Sequence, residues 1–584
     1  MKRLFTCLLV SSLLLLSACS AAPAIKSTYD SAQLRFSGER ALEIEADFVQ
    51  RFPYRSSGQP NNHLAAEWLQ AEFTRLGLNC AMDEWEVVNF SKVLPLQNVV
   101  CRLPGKSTRE VLLAAHLDQS PLTIQGADND GSGIAIMTHL AEIFAMENPP
   151  AYTLVFLATD GEEWGQLGAL RFVETHPNRK QIIAGISLDN LGNDFYDGLD
   201  IDARGQFRGY GPLWIQRMAQ ESARSAGDLW IPRIVGPVDQ VLSQTVPLSF
   251  VDDGPMIGAG IPALNFGGHV SPEYATSYWE CYHSPCDAIE NQSSTSLYQA
   301  GRASEALVRQ LLATQSFPVE TGPYLYFADS QQVLRGLPLW SIFGAFVTLF
   351  FLGAVVIGRK QFSNGIARWQ NSLFHFLSLW LPLLGSILLL YLFVATGLLD
   401  KYAVYFATTK DPAVTTPKWT AVALWVISLA LLLWIGRRFA ARAMKTDEAG
   451  SWGGRKSLSL FITGLGALTI AIKNPFSLLL IITLPFWFLI SGRGKAWKIL
   501  DVMLFLLGGT IIYVLFYFFG WQTLHINLYI LWYILMMFAI QMIPFSSAVV
   551  ITAILGAGLM LVVNPPRRKP ASEPAAILKA KTGI

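Results

Sequence analysis

Residues 111–118 read VLLAAHLD, an apolar run that ends in a histidine and an aspartate. A second apolar run, TLVFLA at 153–158, leads to Glu162 and Glu163. A third, IAGISL, leads to Asp189. Short apolar runs followed by polar side chains are typical of strands in an open parallel sheet, whose carboxyl ends present the ligand site. The three runs therefore predict such a sheet, with the chemistry of the protein at one edge.

Helical patterns alternate with these runs, at residues 63–76, 134–146 and 213–226. Strands that alternate with helices indicate an α/β fold in which helices cover both faces of the sheet. We therefore expect a mixed, largely parallel sheet sandwiched by helices.

The chain of 584 residues is too long for one domain, and its two halves differ in composition. Residues 20–335 have the mixed charges and turn residues of a globular domain, whereas residues 336–565 consist of long uncharged runs. We predict a globular domain over residues 20–335, followed by an all-α transmembrane bundle and a polar tail at 566–584. A formal net charge of +1 gives no reason to expect nucleic acid as a partner.

Residues 1–19 are typical of an export signal. A positive start is followed by an apolar core at residues 4–16 and by Leu-Ser-Ala-Cys, which resembles the lipobox where bacterial lipoproteins are cleaved. We expect lipidation at Cys19, and the alternative is an ordinary signal peptide. In either case the following domain is exported.

Four cysteines remain in the exported domain: Cys80, Cys101, Cys281 and Cys286. An even number of cysteines in an oxidising compartment favours disulfides. The last two bracket His283, and the first two lie on predicted strands that could pair. We predict the pairs 80–101 and 281–286, although four cysteines allow three pairings and free buried thiols are the alternative.

The second half contains apolar segments of the length that a membrane span requires. Eight are predicted, at residues 337–358, 374–399, 419–435, 458–472, 476–490, 499–521, 528–543 and 548–563. Basic residues follow the first and third segments, and the positive-inside rule places them in the cytoplasm. This orientation predicts a multi-pass protein of the bacterial inner membrane with its N-terminal domain in the periplasm. The basic tail at 567–569 conflicts with eight spans, so the number of spans stays open.

The role of the bundle also stays open. The predicted spans carry almost no charge in their interiors, which favours an anchor or scaffold over an ion or substrate path. A transporter or a lipid-handling function is the alternative.

Two features of the first half are typical of a metal site. In His116-x-Asp118, an imidazole can bind zinc while the nearby carboxylate holds the other ring nitrogen. The adjacent Glu162 and Glu163 can divide their roles, because one carboxylate can bind metal while the other takes the proton of a metal-activated water. Asp189 and His283 are further ligand candidates.

The order H-x-D, G-A-x-x-D-G-S-G, E-E, L-D and C-Y-H-x-x-C-D over about residues 40–315 resembles the co-catalytic dizinc aminopeptidase family. A peptidase domain ahead of a helix bundle is also similar to the endoplasmic-reticulum metallopeptidases of eukaryotes. The resemblance implies a zinc exopeptidase fold that binds two zinc ions, one of them held by His116 and Glu163. Asp189 and His283 would hold the other ion.

The resemblance also implies three supporting roles. Glu162 would be the general base, and Asp118 would orient His116. Tyr282 would stabilise the tetrahedral oxyanion.

The chain departs from the family at the loop GADNDGSG, residues 126–133. Many members have an aspartate there that bridges the two zinc ions, and the alignment places Asn129 at that position. We favour Asp128 as the bridge, with Asp130 or Asn129 itself as the alternatives. The departure also leaves open a site with one metal ion, or one with compromised activity.

We therefore expect a zinc-dependent exopeptidase, in particular an aminopeptidase that hydrolyses periplasmic peptides with free N-termini. The alternatives are a non-catalytic receptor or scaffold on the same fold, glutaminyl-cyclase or carboxypeptidase chemistry, and a bundle whose own function is primary. The expected partners are a peptide and the lipid bilayer. The side-chain preference and the oligomeric state stay open.

Overall fold

A computed structural model describes the greater part of the chain. The residues that it describes are 19–22, 24–89, 92–205, 209–245, 249–320, 322–362, 366–399, 417–443, 452–484, 499–500, 503 and 529–563. They divide into two compact units, one ending at Trp340 and the other beginning at Ser341.

The first unit contains eleven strands among its described residues. They are β1 (Ser20–Ala21), β2 (Asn79–Asn89), β3 (Lys92–Leu103), β4 (Glu110–His116), β5 (Thr153–Thr159), β6 (Ile182–Leu188), β7 (Tyr196–Asp202), β8 (Arg233–Ile234), β9 (Ala263–Val270), β10 (Tyr324–Phe327) and β11 (Gln332–Arg335). Eight form one sheet in the order β2-β3-β5-β4-β6-β9-β7-β8, and β1, β11 and β10 form a small antiparallel sheet.

The centre of the large sheet is parallel. Strand β4 pairs in parallel with β5 and with β6, and β6 pairs in parallel with β9. Strands β2 and β3 are antiparallel at one end, and β7 runs antiparallel to β9 near the other. The carboxyl ends of β5, β4 and β6 consequently lie side by side at one edge of the sheet.

Helices cover both faces of the sheet. Those of the first unit are α1 (Gly38–Arg51), α2 (Pro60–Arg75), α3 (Ser132–Ala145), α4 (Leu167–Thr175), α5 (Leu213–Ala226), α6 (Pro237–Thr245), α7 (Asp253–Gly258), α8 (Ala275–Cys281) and α9 (Ser294–Ala313). Helices α1, α2, α3, α5 and α9 share one apolar core, while α4 and α7 pack in a second core.

Alternate residues of β4 enter the two cores. Val111, Leu113 and Ala115 belong to the first core, and Leu112 and Ala114 to the second. Successive side chains of a strand point to opposite faces, and here both faces are covered. The continuous apolar run of β4 is explained by this double burial, and the predicted α/β fold with its mixed, largely parallel sheet is confirmed.

Both predicted disulfides are formed. Cys80 and Cys101 are direct partners in the antiparallel register of β2 and β3, and Cys281 is bonded to Cys286. Cys19 is a free cysteine.

The second unit is helical in its described residues. Its helices are α10 (Leu337–Phe362), α11 (Ile366–Ala395), α12 (Trp419–Ala443), α13 (Trp452–Lys473), α14 (Ile530–Ala539) and α15 (Phe545–Val562). All except α14 contain a stretch that is long and apolar enough to cross a membrane. The membrane character of this half is thus supported by five helices, which coincide with five of the eight predicted spans.

The other three predicted spans do not coincide with a long apolar helix among the described residues, or they are only partly described. The segment predicted at 476–490 begins as a short 3-10 helix, Pro475–Ile481, and helix α14 in the segment predicted at 528–543 has 10 residues. Ten α-helical residues span only about 15 Å, half of a hydrocarbon core. Most of the segment at 499–521, the signal residues 1–18 and the tail 564–584 lie outside the described residues.

Loss of the cross-strand disulfide tests the packing of the antiparallel end of the sheet. Cys80 and Cys101 are 21 residues apart, whereas Cys281 and Cys286 are 5 apart. Loop-closure entropy assigns about 3 kcal/mol of stabilisation to the longer loop and about 2 kcal/mol to the shorter one. We expect the C80A/C101A variant of the detergent-solubilised protein to unfold at a lower temperature than the C281A/C286A variant, as followed by circular dichroism. An equal or reversed order would contradict this account.

Candidate metal centre and peptidase site

The carboxyl ends of three neighbouring strands bring the predicted site together. His116 is the last residue of β4, Glu162 and Glu163 follow β5, and Asp189 follows β6. His283 joins them from the loop after α8. All five side chains are buried, with exposed fractions of at most 7%.

One half of the site is formed around His116. Its Nδ1 lies 3.0 Å from the backbone oxygen of Asp118, and its Nε2 lies 2.7 Å from Oδ1 of Asn129 and 3.6 Å from Oδ1 of Asp189. A carbonyl oxygen only accepts, so Nδ1 carries a hydrogen. Burial lowers the pKa of His116, but the carboxylates of Asp118, Asp130 and Asp189 outweigh it and raise the pKa well above its usual range. A proton on Nε2 therefore takes the place that a cation would take, and without that proton three electron-pair donors converge on the space beside Nε2. Asp130 adds a carboxylate, since one ligand atom each of His116, Asp130 and Asp189 lies within 4.8 Å of the others.

The other half is formed by Glu163 and His283. Nε2 of His283 lies 3.1 Å from Oε1 of Glu163. The side chain of His283 stacks on the ring of Tyr282, with 4.0 Å between the ring centroids. The structure thus places His116 with Asp189 and Glu163 with His283, which differs from the pairing of ligands that the family resemblance implied.

Asn129 stands between the two halves. Its Oδ1 faces His116, and its Nδ2 lies 2.9 Å from Oε1 of Glu163 and 3.0 Å from Nε2 of His283. Among the alternatives for the loop, this is the one in which the asparagine itself faces the ligands.

Asp128 points elsewhere, so the favoured assignment of the bridge to Asp128 is wrong. Its carboxylate accepts hydrogen bonds from the backbone nitrogens of Gly192 (2.9 Å) and Asn193 (3.1 Å) and from the hydroxyl of Tyr196 (2.5 Å). Burial raises the pKa of Asp128 to about 8. The side chain anchors the loop to the residues that follow β6.

Asp130 holds the loop against the end of β4. Its carboxylate accepts hydrogen bonds from the backbone nitrogens of His116 (2.9 Å) and Gly133 (3.0 Å). A Cβ at position 133 would overlap with both oxygens of Asp130 and with the backbone oxygen of Leu188. The close approach therefore requires glycine at this position.

Asp118 organises the loop after β5. Its Oδ1 accepts a hydrogen bond from the backbone nitrogen of Glu162 (3.1 Å), and its Oδ2 accepts from the backbone nitrogen of Glu163 (3.3 Å) and from Oγ of Ser57 (3.1 Å). Its carboxylate is 3.5 Å from the His116 ring, farther than its own backbone oxygen. The sequence predicts that this carboxylate orients the imidazole. In the structure the carboxylate lies within reach of the ring, and its hydrogen bonds go to the backbone nitrogens of the two glutamates.

Glu162 has the surroundings of a group that handles protons. Its Oε1 is buried and has no hydrogen-bond partner among the described residues. Burial raises the pKa of Glu162 well above its usual range, and Asp189 and Glu163 act in the same direction while His116 opposes them. A carboxylate of this kind is suited to accept a proton inside the site.

Tyr282 keeps its hydroxyl hydrogen at neutral pH. Burial, with the charges of Glu163 and Asp189, raises its pKa well above the usual range of a phenol. The side chain can therefore serve as a hydrogen-bond donor beside the glutamates.

Arg55 is a buried charged residue beside the site that the sequence did not reveal. It is fully buried and donates hydrogen bonds to Oε1 of Gln119 (2.9 Å) and to the backbone oxygens of Leu117 (3.0 Å), Gln125 and Gly126 (2.6 Å). Burial lowers its pKa to about 10, so the guanidinium stays charged at neutral pH. No motif signals this role, because its neighbours in RFPYRSSG have no regular pattern.

Asp287 was also missed, although it is the last residue of the quoted motif C-Y-H-x-x-C-D. Its carboxylate accepts hydrogen bonds from the backbone nitrogens of Asp128 (2.7 Å) and Asn129 (3.4 Å). It therefore connects the His283 loop to the loop that carries Asn129.

The residues present fit zinc. Imidazole nitrogen and carboxylate oxygen are its usual ligands in proteins, along with cysteine sulfur. Nε2 of His116 faces Oδ1 of Asn129 and Oδ1 of Asp189, two oxygens that can share a cation with it. His116, Asp189, Glu163 and His283 would provide the ligand set.

Residues 98–308 match the sequence profile described as "Peptidase family M28". They form a peptidase family M28 domain. The matched residues include each of the predicted ligands and Glu162.

Curated relatives match the M28 domain over part of their length. The alkaline phosphatase isozyme conversion protein of Escherichia coli is 29% identical over 24% of this chain and 47% of its own. A probable zinc metalloprotease of Pyrenophora teres is 39% identical over 17% of this chain and 23% of its own. A vacuolar membrane protease of Candida dubliniensis is 36% identical over 16% of this chain and 10% of its own. The chain thus spans less than half of the length of these relatives.

Solved structures of similar fold include a zinc aminopeptidase of Bacillus subtilis, with 16% identity over 47% of this chain and 95% of that one and a TM-score of 0.40. The glutaminyl cyclase of Porphyromonas gingivalis has 19% identity over 47% of this chain and 98% of its own chain, with a TM-score of 0.40.

Substitution of Asp118 tests its hold on the two glutamates. In D118N, one oxygen becomes an amide donor that faces a backbone N–H, so the loop after β5 loses a hydrogen bond. Because outer partners of metal ligands are typically worth 10- to 100-fold in affinity, we expect zinc affinity to fall by about that factor in a competition titration with a chromophoric chelator. The exposed Asp228 provides the control, D228N, whose zinc affinity is expected to remain that of the parent. An unchanged affinity in D118N would argue against the role of Asp118.

Proposed function

We propose that the chain is a zinc-dependent aminopeptidase in which Glu162 is the general base. The observation that carries this proposal is the buried Oε1 of Glu162, which lacks a hydrogen-bond partner among the described residues, beside a set of converging metal ligands. The membership of residues 98–308 in peptidase family M28 supports the same chemistry.

The chemistry divides between the metal and the protein. Zinc, when bound, supplies Lewis acidity and makes water a nucleophile at neutral pH. Glu162 takes the proton that the attacking water loses and passes it to the amine that leaves. Tyr282 donates a hydrogen bond to the oxygen that becomes negative, and Asp118 keeps Glu162 and Glu163 in place.

Charge favours a substrate with a free N-terminus. Glu162, Glu163, Asp189 and Asp252 are buried close together, and a cation placed among them is favoured because it relieves their mutual repulsion. An α-ammonium group provides such a cation, whereas an acylated N-terminus does not. This supports aminopeptidase activity over cleavage at other positions.

We also propose that the protein is a multi-pass protein of the bacterial inner membrane, with the M28 domain in the periplasm and an acyl chain on Cys19. Two features support the orientation: helix α12 ends in the basic residues Arg437, Arg438 and Arg442, and the first unit contains two disulfides.

The E162Q variant tests the mechanism. Glutamine cannot accept the proton, and loss of general-base catalysis typically costs 10²–10⁴-fold in rate, so we expect kcat to fall by about that factor while the zinc content is retained. The assay compares free with N-acetylated peptides, with and without chelator, and only the free peptides should be cleaved. The exposed Glu174 gives a matched control, E174Q, with unchanged kcat. Full activity in E162Q would refute the mechanism.

Membrane orientation is tested with single cysteines at two exposed positions. D228C in the M28 domain should react with a membrane-impermeant maleimide in intact spheroplasts, whereas R438C at the end of α12 should react only after permeabilisation. The parent protein reports the background labelling of Cys19. Labelling in the opposite order would place the M28 domain in the cytoplasm.

A further inference from the structure

Asn129 contacts both halves of the metal centre with chemically different atoms. Its Oδ1 is 2.7 Å from Nε2 of His116, and its Nδ2 is 2.9 Å from Oε1 of Glu163. The orientation of the amide is set by its neighbour, because a carboxylate only accepts hydrogen bonds and must face the NH₂ group.

The NH₂ group occupies the Glu163–His283 half. It donates a hydrogen bond to Oε1 of Glu163, an oxygen that a second zinc ion would need, and the nitrogen itself lies 3.0 Å from Nε2 of His283. An amide nitrogen of this kind has no lone pair to offer a metal. This half is therefore satisfied by hydrogen bonds alone.

The His116–Asp189 half has the opposite character. Oδ1 of Asn129 lies 2.7 Å from Nε2 of His116, and Oδ1 of Asp189 lies 3.6 Å from it. Asp130 adds a further carboxylate close by. Every one of these atoms can offer an electron pair to a cation, and none of the oxygens carries a hydrogen of an amide.

The missing negative charge of Asn129 also disfavours a second zinc ion. A bridging carboxylate would offer one oxygen to each of two cations and a negative charge to offset their repulsion. Asn129 offers a single oxygen and no charge, and that oxygen faces the His116 half. Two close dications are consequently stabilised less here than in a centre with an aspartate bridge.

We propose that this centre binds one zinc ion tightly, in the His116–Asp189 half, and that Asn129 keeps the affinity of the Glu163–His283 half for a second ion low. The inference rests on the zinc peptidase site proposed above. Asn129 would then be the residue that sets the number of zinc ions in the centre.

Zinc stoichiometry tests the proposal without reference to activity. The full chain, purified in detergent and stripped with chelator, is titrated with zinc against a chromophoric competitor, and bound metal is counted by mass spectrometry after desalting. We expect one tight equivalent for the parent. In N129D we expect two, with the second ion bound about 10- to 100-fold more tightly than in the parent, the range typical for groups that support a metal site. The exposed substitution N178D controls for added charge and should leave one equivalent.

Two further variants locate the tight ion. H116A should lose the tight equivalent, whereas H283A should keep it; circular dichroism and thermal unfolding identify any variant that does not fold. Two tight equivalents in the parent, or retention of the ion in H116A with its loss in H283A, would overturn the inference. A parent that binds two ions and hydrolyses peptides would refute only this stoichiometry, whereas a folded parent with one tight ion and no hydrolysis would refute the proposed function instead.

Discussion

Buried negative charge is the constraint on which the rest of this structure depends. Carboxylates from the ends of three strands and from two loops meet in a space with almost no access to water. Such groups repel one another strongly in a medium of low dielectric constant, and they persist only when hydrogen bonds or cations compensate them. Asp118, Asp128 and Asp130 are compensated by backbone N–H groups, and Arg55 contributes a buried positive charge. The groups around His116 are left for a metal ion.

The sheet makes this concentration of charge possible. Strands β5, β4 and β6 are neighbours and parallel, so their polar ends arrive at the same edge while their apolar residues fill two separate cores. The stabilisation gained by burying those strands offsets the cost of holding the acidic groups together. Rigid strands also keep the ligands in position before any metal arrives, as preorganised sites require.

Sequence patterns predicted the strands and their terminal residues because both depend on local order along the chain. Apolar runs such as VLLAAH mark a doubly buried strand, and the residue after the run lies at the edge of the sheet. The proximity of His116 to Asp189 depended instead on tertiary contacts among the loops that follow the strands. The choice between Asp128 and Asn129 depended on distant partners, Gly192 and Tyr196, that orient one side chain away. Arg55 could not be predicted, because burial of a charge is decided by tertiary contacts alone.

The double burial of β4 limits how this protein can diverge. Residues 111–115 have no side exposed to solvent, so a polar replacement at any of them enters one core or the other. Drift in this strand is thus confined to exchanges among apolar residues of similar volume, whereas the solvent-facing positions of the surrounding helices can change freely. Homologous chains would be expected to retain a recognisable strand ahead of the histidine long after their surfaces have become unrelated.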